Sequence, residues 1–464
     1  MRRLKYHVAS LLLILSAAAF GQNVTLPDAE RVVLDNGTVL ILNENHDVPL
    51  IGLEAVMRGG AVADPADKHG LASLLANLLV KGANERSSSE FAEAVAAVGG
   101  RLDASAGLES LSVSAEFMSR DADLMVELVA DALQRPTLAV EEFETLRDRS
   151  IGLITSAKGS DPNRLMSSYA NAFLFGEHPY GNPVGGSESS LARVTHGDLL
   201  AYYADMLGGN RLIISVSGDF DIASMRDALS AAFGGWRAAS GTSIEVAPTE
   251  PPIDSRVYLI DKPGATQTYF YIGNIGVARQ FAGRAELDLA NTVFGGRFTS
   301  MLVTELRTKS GLSYSASSRL GRYSQSGSVF IRSFTETSTT VEAMDVALAT
   351  LGRLRDKGLD AAMIESSRNY IMGQFPPQLE TAAQLAGVFA MLEVNGLDTG
   401  YINDYGASLA AATEESIASV IARVYPPANA LVFVILGDAE IIREQVAQYG
   451  PITEISISEP RFHP

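Results

Sequence analysis

Asn210–Asp219 reads N-R-L-I-I-S-V-S-G-D, and Asn429–Asp438 reads N-A-L-V-F-V-I-L-G-D. Each is an apolar, β-branched run closed by Gly-Asp, the pattern of a strand buried on both faces. The two stretches lie 219 residues apart. At that same offset Asp35–Leu42 falls on the strand pattern from Asp254 to Asp261. One offset relating both ends of each half predicts two tandem copies of one α+β domain, not a short-period solenoid. Chance similarity between apolar strands is the competing account, and the equal halves favour duplication. At 464 residues the chain also exceeds one core and suits two domains of about 200 residues each.

Within the first copy, Val32–Asn43 predicts a hairpin: V-V-L, the turn Asp35-Asn36-Gly37, then V-L-I-L. Leu50–Arg58 is a strand closed by Gly59-Gly60. Leu71, Leu74, Leu75, Leu78 and Leu79 at helical spacing predict a helix over His69–Lys81. Ser87–Ser89 caps the next helix, Glu90–Val98, with Ser88 or Ser89 at the start and Gly99-Gly100 at the stop. Arg101–Phe117 alternates as one or two strands. Helices fill Ala122–Leu174, divided at Pro136 and at Asp161-Pro162, and Ser189–Asp205 is helical too. From Arg237 to Pro252 the composition turns to Ala, Ser, Gly, Thr and Pro, the signature of an interdomain linker. The expected division is an export segment over 1–21, a first domain over 22–240, a linker over 241–253 and a second domain over 254–464.

Arg2, Arg3 and Lys5 precede an apolar run from Ala9 to Phe20, then small and polar residues, the form of a secretory signal peptide cleaved after Ala19 or Gly21. About 12 apolar residues are too few to span a bilayer. The sequence has no cysteine, so an exported protein of this size relies on its cores, and a bacterial periplasm is the expected address. The formal net charge is −18, and −21 once those three basic residues are gone. Without a basic cluster, that balance speaks against nucleic acid or an anionic membrane as partner.

The candidate site lies in Glu305–Ser317, E-L-R-T-K-S-G-L-S-Y-S-A-S. Met301–Arg307 is helical, Gly311 turns the chain, and Leu312–Ser317 runs out as a strand. Arg307 and Tyr314 then face each other across a tight bend. A guanidinium fork and a phenol so placed can hold a carbonyl or carboxylate of a bound chain. A surface arginine beside a half-buried strand tyrosine is the plainer alternative. Gly406–Ala410, G-A-S-L-A, has the outline of a nucleophile elbow, but no strand precedes it and it reads as helix packing.

Gly70–Gly82 reads G-L-A-S-L-L-A-N-L-L-V-K-G. It resembles the zinc-site helix of the pitrilysin and mitochondrial processing peptidase family, insulinase-like inverted zincins whose pattern is G-L-A-H-x-x-E-H followed by M-L-F-K-G. Gly70, Leu71, Ala72, Leu75, Leu79, Lys81 and Gly82 agree with that pattern. The ligand positions do not. Two histidines four apart send both imidazoles from one helix face to a zinc ion. Here those positions are Ser73 and Asn77, and the general-base position is Ala76. The third ligand, a distal glutamate, falls near Gly152–Ile154, where no acid stands. The six histidines, at 7, 46, 69, 178, 196 and 463, offer no pair within five residues. Phe175–Gly181, F-G-E-H-P-Y-G, matches the family's F-x-x-H-P-Y-G loop, with His178 and Tyr180 read as packing residues. Ala290–Gly296 and Ser300–Tyr314 look like its second-domain helix, glycine turn and L-R-x-x-x-G-L-x-Y motif.

The resemblance implies half of a clamshell: two duplicated α+β domains, each a mainly antiparallel sheet with helices packed on one face. It also implies a role. In the family's heterodimeric zinc endopeptidases one chain carries the zinc helix and the other is metal-free, supplying the Arg/Tyr motif. Carried over, Arg307 and Tyr314 bind peptide substrate and assist catalysis at the zinc site of a homologous partner subunit, and this chain needs no cofactor and is inactive alone. Substrate peptides in the family add to a sheet edge, with Leu111–Phe117 the candidate in the first domain. The alternative is a structural or peptide-binding pseudopeptidase, homodimeric or a core subunit of a larger complex, in which Arg307 and Tyr314 are dispensable.

Overall fold

In the computed structural model, which describes residues 24–242 and 244–464, Gly37 takes a φ of +90° and turns Glu30–Val33 (β1) back onto Val39–Glu44 (β2). The export segment expected over 1–21 lies outside the described residues. Leu50–Arg58 (β3), Arg101–Ala106 (β4), Ser110–Met118 (β5) and Leu212–Gly218 (β6) complete a six-stranded sheet of order β1-β2-β6-β3-β5-β4. The second sheet holds Arg256–Asp261 (β7), Gln267–Gly276 (β8), Ala316–Arg322 (β9), Gly327–Glu336 (β10), Val432–Gly437 (β11) and Ile452–Ser456 (β12). Its order is β12-β7-β11-β8-β10-β9, and most pairings in both sheets are antiparallel. The duplication is visible strand by strand: β2, β3, β4, β5 and β6 correspond to β7, β8, β9, β10 and β11. The two matched Gly-Asp strands, β6 and β11, are buried along their whole length in the middle of their sheets. The outer edge beside β2 and β7 is filled differently, by the antiparallel hairpin strand β1 and by the parallel C-terminal strand β12.

In the first half the helices are Leu71–Leu79 (α1), Ser88–Ala97 (α2), Ala122–Gln134 (α3), Val140–Ser160 (α4), Met166–Phe175 (α5), Glu188–Arg193 (α6), His196–Met206 (α7) and Ile222–Phe233 (α8). In the second they include Arg284–Asn291 (α9), Met301–Val303 (α10), Thr340–Lys357 (α11), Ala361–Gln374 (α12) and Ala382–Val394 (α13). Two expected boundaries shift. Within the expected Ser87–Ser89 cap it is Ser87 that caps, and the helix already starts at Ser88, because Ser87 and Glu90 close a reciprocal capping box. The stretch 189–205 is two helices, since Thr195 caps a new one with Asp198.

Each sheet packs its own helices on one face. Leu53, Ala55, Met57, Val113 and Phe117 meet α1, α3 and α8 in the first core. The opposite face takes a helix from the other half, a feature absent from the sequence reading. Helix α13 lies across β3 and β6, with Leu385 and Phe389 packing in one cluster with Ile41, Val56 and Ile213. In return α5 lies on β8 and β11, with Tyr169 and Phe173 among Tyr258, Val432 and Val434. The exchange requires Gly52 on β3: a Cβ there lies 2.4 Å from the Ala383 backbone nitrogen. The C-terminus adds a further tie between the halves. Pro460 O accepts from Ser189 N of the first half at 2.8 Å, while Tyr258 of the second half holds the same segment by donating to Phe462 O at 2.7 Å. The domains are thus fixed against each other by apolar burial worth roughly 1.5–3 kcal/mol per large side chain.

Candidate functional site

Ser300 caps α10, and the chain passes directly into a π-helical turn over Thr304–Lys309. Such a turn carries extra residues and re-aims the side chains beyond it, a device common at functional sites. Leu306 is fully buried and anchors the turn, so its neighbour Arg307 points away from the core. Gly311, at a φ of +68°, then reverses the chain. The expected strand over Leu312–Ser317 forms only from Ala316 onward. Ser313 N donates to Leu306 O at 3.0 Å, and Ser313 Oγ donates to Ser315 O at 2.8 Å while Ser333 Oγ lies 3.0 Å from it. These local bonds use groups a strand needs, and β9 starts at Ala316. Tyr314 therefore stands on a pinned loop.

The loop brings the two predicted residues together. The Arg307 Cζ lies 4.4 Å from the Tyr314 ring centre and 4.9 Å from that of Phe298. Both rings are exposed, Tyr314 at 72% and Phe298 at 71%, while Arg307 is half-buried between them. Stacking of this kind is worth about 0.5–1 kcal/mol at an exposed site. Its effect is to orient the guanidinium rather than to hold the fold. Glu305, the nearest acid in sequence, is occupied by Lys309 and Arg353, each at 3.0 Å, and these, Lys309 foremost, hold its carboxyl below the ordinary range. Among the described residues Arg307 donates to no acceptor. Phe298 escaped the sequence reading. Its signal was an aromatic placed straight after Gly295-Gly296-Arg297, and only folding shows it exposed.

The positions of the zinc motif lie on α1 in the other domain. Asp64 holds the start of that helix, accepting from Gly70 N at 2.7 Å and Ala72 N at 2.9 Å. Ser73 is half-buried, Ala76 fully buried and Asn77 exposed. The Asn77 amide donates to Ser73 O at 2.7 Å, so one vacant ligand position is turned back on the other. Gly152–Ile154 falls on α4, which packs against α1 as a third-ligand helix must, and its residues there have no donor side chain. A methyl, a hydroxyl and an amide do not make a zinc site. Among the described residues no three His, Cys, Asp or Glu side chains cluster as a metal site.

His178 and Tyr180 prove to be architectural. His178 accepts from Tyr180 N at 3.1 Å and bonds Ala247 O at 2.8 Å. Tyr180, fully buried, donates to Glu109 Oε1 at 2.6 Å and accepts from Gln325 N at 3.1 Å. Glu109 sits between β4 and β5 and Gln325 between β9 and β10, so the phenol joins equivalent hairpin turns of the two domains. Burial, with Glu109 adding to it, pushes its pKa up to about 12. The strand suggested for peptide addition is also corrected. β5, which contains Leu111–Phe117, is paired by β3 along its length and by β4 over Leu111–Glu116, so it is an interior strand. On that side of the sheet the edge strand is β4, with β9 its counterpart in the second sheet; β1 and β12 form the opposite edges.

Comparisons with known proteins agree with this geometry. A family model described as insulinase (peptidase family M16) matches residues 39–187, and one described as peptidase M16 inactive domain matches residues 193–371. An uncharacterized zinc protease of Mycobacterium leprae is 27% identical over 351 residues, 75% of this chain and 77% of the relative. The non-peptidase homolog YmxG of Helicobacter pylori is 22% identical over 74% of this chain and 78% of its own length. The fold is shared with a peptidase M16 inactive domain from Pseudomonas fluorescens, at a TM-score of 0.81 and 18% identity over 88% of this chain and 98% of that one. It is shared too with a protease from H. pylori, at 0.80 and 20% over 89% and 100%. The chain belongs to the insulinase family of peptidases, family M16.

Proposed function

We infer that this chain is the metal-free subunit of a two-chain zinc endopeptidase of the periplasm, holding peptide substrate with Arg307 and Tyr314 against a zinc site carried by a homologous partner. One contrast carries the reading. The framework of the zinc helix is present around Ser73, Ala76 and Asn77 without any ligand, while the second domain keeps a half-buried Arg307 stacked on an exposed Tyr314. In that role the Tyr314 hydroxyl donates to a peptide carbonyl as negative charge builds on its oxygen, and Arg307 fixes the chain on either side of it. The family match whose description reads inactive domain spans both residues, and the H. pylori relative is named as a non-peptidase homolog. The periplasmic address rests on the signal-like stretch before residue 22.

The test is hydrolysis of an unstructured peptide, with zinc content measured, by the chain alone and after mixing with a zinc-motif homologue from the same genome. The expected result is no metal and no turnover alone, and on mixing a rate well above that of the homologue. In the mixed pair Tyr314→Phe lowers turnover about 10–1000-fold, the scale of one oxyanion donor, with folding unchanged. Wild-type turnover by that variant removes the role given to Tyr314. Failure to form any complex or activity replaces the subunit reading by the peptide-binding pseudopeptidase.

A further inference from the structure

The guanidinium of Arg307 is covered by two rings, Phe298 and Tyr314, each with its centre within 5 Å of Cζ. Its N–H groups lie in the guanidinium plane, a direction that contacts with ring faces do not use. None donates to an acceptor among the described residues, and the adjacent carboxylate, Glu305, is already paired twice. Arg319, exposed on the edge strand that begins two residues after Tyr314, likewise has no ion pair among them. The chain as a whole carries 54 acidic against 36 basic residues. A half-buried cation kept clear of the chain's own acids is poised for an anion from outside.

A peptide carbonyl offers such a fork one neutral acceptor. A carboxylate offers two oxygens at matching spacing, cancels the charge, and makes hydrogen bonds about twice as strong. We propose that Arg307 binds a carboxylate of the peptide, either its C-terminus or an Asp or Glu side chain, with Phe298 and Tyr314 as flanking walls. The site thus selects acidic or C-terminal segments rather than any backbone. The proposal rests on the reading of Arg307 and Tyr314 as a peptide-binding pair, but concerns this chain alone.

The experiment is a fluorescence-anisotropy titration of the full chain with one flexible peptide in three forms. The first has a free C-terminus and no acidic side chain, the second an amidated C-terminus and one glutamate, the third an amidated C-terminus and no acid. The third is expected to bind about 10–100-fold more weakly than the better of the other two, as loss of a charged hydrogen-bond partner predicts. Whichever form keeps its affinity identifies the source of the carboxylate. Arg307→Gln abolishes the preference, and Arg307→Lys, which keeps the charge but not the fork, loses most of it. Both shift the thermal midpoint only slightly, since the side chain donates no hydrogen bond in the fold and its stacking is worth about 0.5–1 kcal/mol. Equal affinity for all three forms, no measurable binding of any, or an undiminished preference in Arg307→Gln overturns the proposal. Hydrolysis by the mixed pair is a separate readout, so the subunit reading stands or falls independently.

Discussion

Gly52→Ala adds one methyl group where α13 crosses β3. The new Cβ lies 2.4 Å from Ala383 N, 2.5 Å from its Cα and 2.6 Å from the carbonyl carbon of Ala382. All three are backbone atoms, so no rotamer change relieves the overlap. Ordinary carbon contacts lie at about 3.5–4.0 Å, so the helix must withdraw by about 1 Å, and a gap of that size forfeits a quarter to a half of the dispersion attraction across the contact. Overpacked cores lose about 1–3 kcal/mol. With a rigid helix against a sheet centre, the upper half of that range is expected. The same substitution at Gly152 gives the opposite sign. That residue lies within α4 with no other atom within 4 Å of a new Cβ. Alanine there gains about 0.5–1 kcal/mol in helix propensity. Urea unfolding followed by the fluorescence of Trp236, the single tryptophan and part of the first core, reads both changes. If Gly52→Ala unfolds at or above the wild-type midpoint, α13 does not rest on β3, and the exchange of helices that fixes the domains is wrong.

Two further perturbations test the scaffold around the site. Burial alone disfavours the charge on Asp198, but Lys68 at 2.6 Å and the Thr195 cap outweigh it and hold its pKa at about 2. A depressed carboxyl stabilises the fold above its unfolded value near 4 and loses that contribution as pH falls toward 2. Asp198→Asn should therefore cost about 2 kcal/mol at neutral pH and nothing near pH 2; a deficit that does not shrink on acidification refutes the pairing. Tyr180→Phe leaves Glu109 and Gln325 short of a partner at the domain junction, and should cost about 1–3 kcal/mol in thermal or denaturant unfolding. Wild-type stability in that variant excludes the phenol as a tie between the domains.

Much of this was legible in the chain because it is local. The Asn36-Gly37 turn, the strand over Leu50–Arg58, the leucine stripe of α1 and the matched Gly-Asp strands depend on neighbours two to four residues away. Periodicity and turn chemistry report such neighbours directly. The vacancy at Ser73, Ala76 and Asn77 was equally plain, since a side chain without a donor cannot gain one by folding. Where local bonds compete, the reading slipped: Ser313 and Ser315 offer a strand and a loop similar hydrogen bonds, and contact with Leu306 and Ser333 decides for the loop. The same dependence on distant partners hid the true sheet edge, because alternation marks a half-buried strand whether one neighbour or two lie beside it. The sequence by itself determined two copies of an α+β domain and a zinc helix without ligands. Only the tertiary structure decided that each domain lends a helix to the other, that Tyr180 ties the hairpins, and that Phe298 joins Arg307 and Tyr314. Those contacts join residues far apart in the chain, and packing free energy, which no short-range pattern encodes, selects them.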